Sequence, residues 1–184
     1  RKQWGRGCNA ILRDMGLALL LNGRMSKPQR LPNSAEQVVL EELRVHLITG
    51  KKQKARWDRL VRKHHYLKSA RLVGEQLRYV AIDGRGQWLA LLGWSAPALH
   101  LKARDQSLEW TDLQREARLH LLAQNSRYVI LADRQQLPNL ATRAMALCLH
   151  RLSQDWQKTS CHPILLCESF VDRQRFRATC YKAG

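Results

Sequence analysis

Two places in the chain carry side chains that could move protons or bind a metal. His64, His65 and Tyr66 end a run of basic residues, and Asp172 follows an apolar stretch much later in the sequence. An imidazole titrates near neutral pH, and a carboxylate beside it would raise its basicity. A His–Tyr pair close to Asp172 could therefore shuttle a proton or bind a metal. The structural alternative is that the pair fastens a helix to the rest of the domain by hydrogen bonds.

Asp172 and Glu168 belong to the stretch PILLCESFVD, whose composition is typical of a buried strand. A carboxylate at a strand end suits general base catalysis, whereas Asp172 could instead cap the following segment RQRF. Glu168 lies inside the strand and needs a partner, so we expect it to face a cleft or to pair with Arg143. Asp83, Asp105 and Glu168 are three candidate ligands for a metal-dependent nuclease. However, Asp83 occupies a turn, and no spacing brings the three carboxylates together.

A third group of residues could bind phosphate. Residues 51–63, KKQKARWDRLVRK, hold seven basic residues and one acid, Asp58. At helical spacing the apolar residues fall on one face, so the segment is either a solvated surface helix or a phosphate-contacting one. The cations from which we expect phosphate contacts are Arg6, Arg13, Lys52, Arg56, Arg59 and Lys63. Trp94, in the context LGWSA, is the aromatic residue best placed to stack on a base.

The overall charge supports an acidic partner. The 184 residues include 32 Lys and Arg but 15 Asp and Glu, which gives a net charge of +17. Residues 1–70 hold 16 of the basic residues and only 5 of the acidic ones. A polyanion, and most simply DNA, is the partner that such an excess predicts.

Membrane and secreted classes are disfavoured. The apolar run at residues 15–21 is too short to span a bilayer, and no cleavage pattern of a signal peptide follows it. The five cysteines are odd in number and lack a repeated Cys-x-x-Cys spacing, which argues against a disulfide framework or a structural zinc site. We therefore expect a cytoplasmic protein.

The elements that must position these residues follow from periodicity and stop signals. In chain order we expect a helix from Asn9, a second helix over residues 33–50, the basic helix from residue 51, and a hairpin around the turn at residues 83–86. Residues 108–110 could form a strand, and a helix from Thr111 should bury Leu113. A strand at residues 127–132 then precedes a helix from Pro138 with buried residues at every fourth position: Leu140, Ala144, Cys148, Leu152 and Trp156. Strands at residues 163–170 and 178–181 complete the series.

This order predicts an α/β (α+β) fold with a mixed central sheet flanked by helices. We divide the chain into a basic helical segment, residues 1–50, and an α/β domain, residues 51–184. Because the last expected strand stops abruptly, we expect the native chain to continue. The order of hairpin, strand, long helix, strand, short helix and strand resembles the GNAT-type acyltransferase fold, in which the amino end of the long helix receives the cofactor pyrophosphate.

Several motifs in order resemble the protein A family of the Druantia anti-phage system, whose members also accompany transposable elements. These are HHYL, LVGEQLRYV, WLALLGW, NSRYVIL, PNLATRAMALCLHRLSQDW and ESFVDRQRFRATCYKA, within residues 57–184. The segment ILRDMGLALLLNGRM resembles the amino-terminal helical part of that family, and this resemblance implies helix-turn-helix character for residues 1–50.

The chain is also similar, more remotely, to the phage Mom protein, a GNAT-like enzyme that modifies adenine in DNA. The resemblance implies catalytic roles for His65, Tyr66, Asp172 and Tyr181. It also implies that Asn139 and Thr142 start the helix on the cofactor side. The segment DRQQLPNLAT contains no glycine to let a pyrophosphate approach the backbone, and Pro138 lacks a donor. The cofactor is therefore unknown, and ordinary acetyl transfer from coenzyme A is not expected.

Three functions remain open at this point. The first is a DNA-binding protein of a defence or mobile-element system with a GNAT-like core. The second is an enzyme that acylates or otherwise modifies a DNA base. The third is a structural subunit that binds RNA or another protein of a defence system or transposon, and it predicts comparable affinity for duplex RNA.

Overall fold

A six-stranded mixed sheet forms the centre of the molecule, for which we obtained a computed structural model that describes residues 8–14, 30–133, 137–172 and 179–182. The strands are β1 (Cys8–Asp14), β2 (Arg44–Leu47), β3 (Gln76–Ile82), β4 (Trp88–Ser95), β5 (Leu122–Ile130) and β6 (Leu166–Asp172). The helices are α1 (Ser34–Glu41), α2 (Lys51–His64), α3 (Lys102–Ser107), α4 (Asp112–Arg118), α5 (Leu140–Ser160) and α6 (Thr179–Lys182), with a 3-10 turn at Leu119–Leu121.

The strand order in the sheet is β1-β6-β5-β4-β3-β2. Neighbouring strands run antiparallel except β5 and β6, which are parallel. A parallel pair needs a long crossover, and α5 supplies it. The predicted class, a mixed sheet flanked by helices, is confirmed.

The two faces of the sheet bury separate clusters. On one face α5 packs with the inward side chains that recur every fourth residue, and all five predicted positions are buried: Leu140, Ala144, Cys148, Leu152 and Trp156. On the other face α2 packs through Trp57 and Val61 against Val80, Leu91 and Val129. The long helix after Pro138 and the amphipathic helix after residue 50 are therefore confirmed.

Trp57 fixes α2 on the sheet. Its indole Nε1 donates to the carbonyl oxygen of Tyr79 at 3.0 Å, and the side chain is fully buried. Gly93 leaves room for the ring, because a Cβ atom at that position would lie 2.9 Å from Cη2 of Trp57. A residue without a side chain at Gly93 is thus what allows the helix to lie this close to β4.

The first helix expected from sequence is wrong, because residues from Cys8 to Asp14 form a strand. This strand pairs with β6 over its whole length. Pairing satisfies backbone groups that β6 would otherwise expose along a sheet edge, and this tertiary gain outweighs the local helical spacing. Residues 15–29 lie outside the described part of the chain.

The expected helix over residues 33–50 is half correct. Asn33 caps α1 with Glu36 in a reciprocal capping box, but the helix ends at Glu41 and Arg44–Leu47 pairs with β3. Leu40, Leu43 and Val45 belong to the same buried cluster as α5. The stretch after α1 therefore adds an edge strand to the sheet, and the role of the earlier residues as a separate DNA-binding part stays a prediction.

Three smaller expectations are also corrected. Residues 108–110 form no strand, because the chain turns there between α3 and α4. Leu113 is 79% exposed, and Arg115 is the buried residue of α4. Residues 179–182, part of an expected strand, form the short helix α6, which packs against α5. Within the described residues, no helix has the length and apolar character required to cross a bilayer.

Candidate functional site

A cavity of about 290 Å³ lies where β5 and β6 separate. The two strands pair only from Leu122 to Asn125 and from Leu166 to Ser169, and the rest of β5 continues without β6 beside it. The carboxyl ends of parallel strands are the usual place for ligands in open sheets that contain them. The divergence therefore creates a pocket at the position where this architecture most often uses one.

The residues singled out from sequence come together here. All six of them line the cavity: His65, Tyr66, Asn139, Thr142, Asp172 and Tyr181. They arrive from four elements that are distant in sequence, namely the end of α2, the start of α5, the end of β6 and α6. Their catalytic and cofactor-binding roles stay predictions, because shared location does not establish chemistry.

His65 is held in its neutral form. It is the residue that ends α2, it is buried, and its Nδ1 accepts the backbone N–H of Leu67 at 3.2 Å. Burial, together with the positive charges of Arg127 and Lys68, lowers the pKa of His65 to about 4. The expectation that a carboxylate raises the basicity of this imidazole is therefore wrong. With Nδ1 occupied as an acceptor, the ring has Nε2–H as its donor.

Tyr181 also acts as a hydrogen-bond donor. Its hydroxyl donates to Oδ1 of Asn125 at 2.7 Å, and Nδ2 of Asn125 donates to the carbonyl oxygen of Gly93 at 3.3 Å. Burial raises the pKa of the Tyr181 phenol well above its ordinary value, so the hydroxyl keeps its proton. Tyr128, whose ring meets that of Tyr181 edge to face, donates to the carbonyl oxygen of Ala141.

Asn125 and Tyr128 were missed from sequence. Both are polar side chains inside β5, which otherwise reads as a strand, and a strand with consecutive polar residues in the sequence AQNSRY was the available signal. Asn125 is 5% exposed and links three strands and α6 through its hydrogen bonds. It positions Tyr181 rather than facing solvent.

The amino end of α5 opens onto the cavity. Asn139 occupies the cap position with a left-handed backbone, φ 67°, and its side chain makes no capping hydrogen bond. Leu140, Ala141 and Thr142 follow it along the cavity wall. First-turn N–H groups have no partner within a helix, and the helix dipole makes this end positive. The wall formed by α5 therefore favours a negatively charged or hydrogen-bond-accepting group.

Asp172 ends β6 and is partly exposed at the cavity. In the described part of the chain it is the one carboxylate among the cavity-lining residues. The segment that it was expected to cap lies outside the described residues. As a carboxylate, Asp172 is the group of this cavity that is suited to accept a proton, whereas His65 presents Nε2–H as a donor.

The second feature is the outer surface of α2, which leads directly to the cavity through His64 and His65. Its seven basic residues are all exposed: Lys51, Lys52, Lys54, Arg56, Arg59, Arg62 and Lys63. The one acid of the helix, Asp58, accepts from Nε of Arg78 at 3.2 Å. The guanidinium of Arg56 lies 4.1 Å from the centre of a Trp88 ring. We call these seven cations the α2 basic surface.

The other expected nucleic-acid contacts have different outcomes. Trp94 is 1% exposed, and its Nε1 donates to Sγ of Cys148 at 3.3 Å. Its expected role in stacking on a base is wrong, because the ring is part of the core beneath α5. Arg13 lies opposite Cys167 in the pairing of β1 with β6. Arg6 lies outside the described residues.

Glu168 pairs with Arg104, not with Arg143. Both side chains are completely buried, and Oε1 of Glu168 lies 3.5 Å from a guanidinium nitrogen. Burial raises the pKa of Glu168 to about 7, and the positive charge of Arg104 opposes that shift. Arg104 also donates to Asp105 and to the carbonyl oxygens of Ala98 and Leu99.

The three-carboxylate metal centre does not assemble. Asp83 accepts backbone N–H groups within the β3–β4 turn, whereas Asp105 and Glu168 both contact Arg104. Among the residues that the structure describes, no group of three His, Cys, Asp or Glu side chains is placed to hold a metal ion.

Comparison with known proteins gives one family. The family model described as Druantia protein DruA matches residues 25–184. Neither a curated protein nor a solved structure matches the chain.

Proposed function

The chain belongs to the Druantia protein DruA family, and from this premise we propose that it is a DNA-binding protein whose α2 basic surface contacts the phosphate backbone. The family indicates a component of the Druantia anti-phage defence system. DNA binding goes beyond that assignment, and it rests on the charge of α2 together with the net charge of +17.

One observation carries the proposal: a single acid of α2, Asp58, opposes the seven cations of the α2 basic surface. Asp58, the one acid of the helix, is engaged by Arg78 from the sheet. Like charges three or four residues apart, such as Lys52 with Arg56 and Arg59 with Lys63, each cost a helix about 0.2–0.5 kcal/mol. Lys51 and Lys52 also stand at the positive end of the helix dipole. A helix that accumulates these costs is better explained by an anionic partner than by exposure to water.

Binding to duplex DNA, measured by fluorescence anisotropy, tests this proposal. We expect the variant K52Q/R56Q/R59Q/K63Q to lose affinity by at least on the order of tenfold at fixed salt, because four phosphate contacts are removed. The matched control R44Q/K102Q/R118Q/K158Q removes the same charge from exposed positions elsewhere and should bind nearly as tightly as the unmodified chain. Equal losses in both variants would mean that net charge alone, and not α2, attracts DNA.

A second candidate function is modification of a DNA base in the cavity. It is favoured by one specific observation, that His65, Tyr66, Asp172 and Tyr181 line a cavity adjoining the end of the basic helix. In this proposal Asp172 accepts a proton from the reacting group, and Nε2–H of His65 donates a hydrogen bond. The hydroxyl of Tyr181 donates its proton to Asn125 and offers its oxygen as an acceptor. The target base would have to leave the duplex stack to reach them. This second proposal also includes a GNAT-like character for the α/β core, as the order of elements suggests.

Mass spectrometry of nucleosides tests the enzymatic proposal. Cells that express the intact chain should contain a modified nucleoside, and cells that express Asp172→Asn should lack it. Glu116→Gln, an exposed carboxylate of α4, is the control and should retain the product. If the intact chain and Asp172→Asn give the same unmodified profile, only the binding function stands.

A further inference from the structure

We infer that α2 lies in the major groove of duplex DNA, with cations on its two flanks contacting phosphates of opposite strands. This inference rests on the proposed DNA-binding function and specifies how the duplex is held. It follows from the distribution of the α2 basic surface around the helix axis.

Most residues of α2 are exposed to solvent, and the helix packs on the sheet along one face. Trp57 and Val61 are fully buried against the sheet, whereas Ala55 and Arg59 are exposed on the opposite side. Because successive residues of a helix are about 100° apart, the remaining cations fall on both sides of the line through Ala55 and Arg59. The helix is therefore a ridge with two charged flanks, and Ala55 and Arg59 form its crest.

The first flank carries Lys54 and Arg62. Together with Lys68 and Arg71 from the following segment, they line a surface groove of about 500 Å³. Asp58 also lines this groove, where it contacts Arg78. Nζ of Lys68 donates to the carbonyl oxygen of Lys63 at 2.7 Å, which fixes the segment against the end of the helix.

The second flank carries Arg56 and Lys63, on the far side of the crest from Lys54 and Arg62. The guanidinium of Arg56 is held over the Trp88 ring, so its position is defined by the sheet rather than by solvent. Lys52 lies between this flank and Arg59 at the crest. Both flanks therefore carry an excess of positive charge, and the one acid among them, Asp58 on the first flank, pairs with Arg78.

Two positive flanks fit two phosphate backbones. A helix with its side chains is about 10–12 Å across, and the major groove of B-form DNA is about 12 Å wide. Single-stranded DNA offers one phosphate backbone, which would contact only one of the two flanks. The major groove of A-form RNA is too deep and narrow for side chains to read. The shape and charge of α2 thus favour duplex DNA over both alternatives.

The experiment compares the full chain with two flank variants, K54Q/R62Q and R56Q/K63Q, and with the control R118Q/K158Q. Each flank variant should reduce the slope of log affinity against log salt by about 1.8, because two phosphate contacts are lost, and the control should leave it unchanged. Phosphate-ethylation interference should show that the two variants lose contacts on opposite strands. Duplex DNA should bind on the order of tenfold more tightly than duplex RNA of the same sequence.

Two results would overturn the inference while leaving DNA binding intact. One is loss of contacts on the same strand in both flank variants, and the other is equal affinity for duplex DNA and duplex RNA. If the unmodified chain shows no salt-dependent binding to DNA, the proposed function itself is refuted. Thermal melts of each variant, which should match the unmodified chain because all four flank residues are exposed, separate lost contacts from misfolding.

Discussion

At the scale of single residues, Glu168 has the most perturbed acid–base behaviour of any described carboxylate. Its carboxyl is inside the sheet, and Arg104 lies 3.5 Å away. Burial raises its pKa to about 7 in the folded chain, whereas a glutamate in an unfolded chain titrates near 4.3. The folded state therefore binds a proton between roughly pH 4.5 and pH 7 that the unfolded state has released.

Replacing Glu168 should remove this linkage. The contribution of Glu168 to stability is complete below pH 4.5 and falls by roughly 3 kcal/mol as pH rises through 7, so Glu168→Gln should flatten the pH dependence in that window. Urea unfolding at pH 5, 6, 7 and 8 measures the free energy of unfolding. Parallel pH profiles of the variant and the unmodified chain would contradict this assignment.

His65 should not titrate in the physiological range. Its pKa of about 4 leaves the imidazole neutral from pH 5 to pH 8, since burial and two nearby cations disfavour the charged form. Ring resonances followed by NMR, with the His65 signal assigned from the spectrum of His65→Gln, check this directly. A midpoint at or above 6.5 would restore the proton-shuttle role that the sequence suggested.

The sequence predicted which residues share the cavity but not their protonation. The order of His65, Asp172 and Tyr181 along the chain, read through the remote resemblance to the phage Mom protein, selected residues that line one pocket. The pKa of His65 depends first on burial and then on the charges of Arg127 and Lys68. Burial and the approach of Arg127 from β5 both result from tertiary packing, which no local pattern contains. The pairing of Glu168 with Arg104 also depends on packing between distant segments, so the sequence did not predict it.

At the scale of elements, the packing of α2 on the sheet depends on the close contact between Trp57 and Gly93 of β4. Gly93→Ala would place a Cβ 2.9 Å from Cη2 and 3.0 Å from Cζ2 of Trp57, so we expect a loss of roughly 1–3 kcal/mol in the free energy of unfolding. The cost should shrink when Trp57 is replaced by the smaller Phe, since the clash is with the indole. Denaturant unfolding of both single variants and the double variant measures the coupling, and strictly additive losses would argue against the contact.

The helices and strands were predicted correctly where one periodicity or one turn signal dominates the local sequence. The four-residue repeat of α5 and the glycine-containing turn between β3 and β4 specify their elements locally. It failed at Cys8–Asp14 and Arg44–Leu47, which become strands because β6 and β3 offer partners. Pairing between distant segments is a tertiary contribution that helical spacing in one segment does not reveal.

At the scale of the whole molecule, the α2 basic surface adjoins the cavity between β5 and β6. β5 and β6 diverge and leave a cavity between them. The carboxyl end of α2 reaches this cavity through His65, and the exposed face of α2 carries the basic surface. The net charge of +17 by itself predicts a polyanionic partner. Composition does not predict that cations cover both flanks of one exposed helix, because this depends on which face α2 buries.

The most direct test of the account is the salt dependence of DNA binding by the full chain. The dissociation constant for a duplex of about 20 base pairs is measured by fluorescence anisotropy across a salt series. If about five phosphates are neutralised, log affinity should fall against log salt with a slope near −4.5. A slope near zero would contradict the account, because binding would then not depend on the cations of α2.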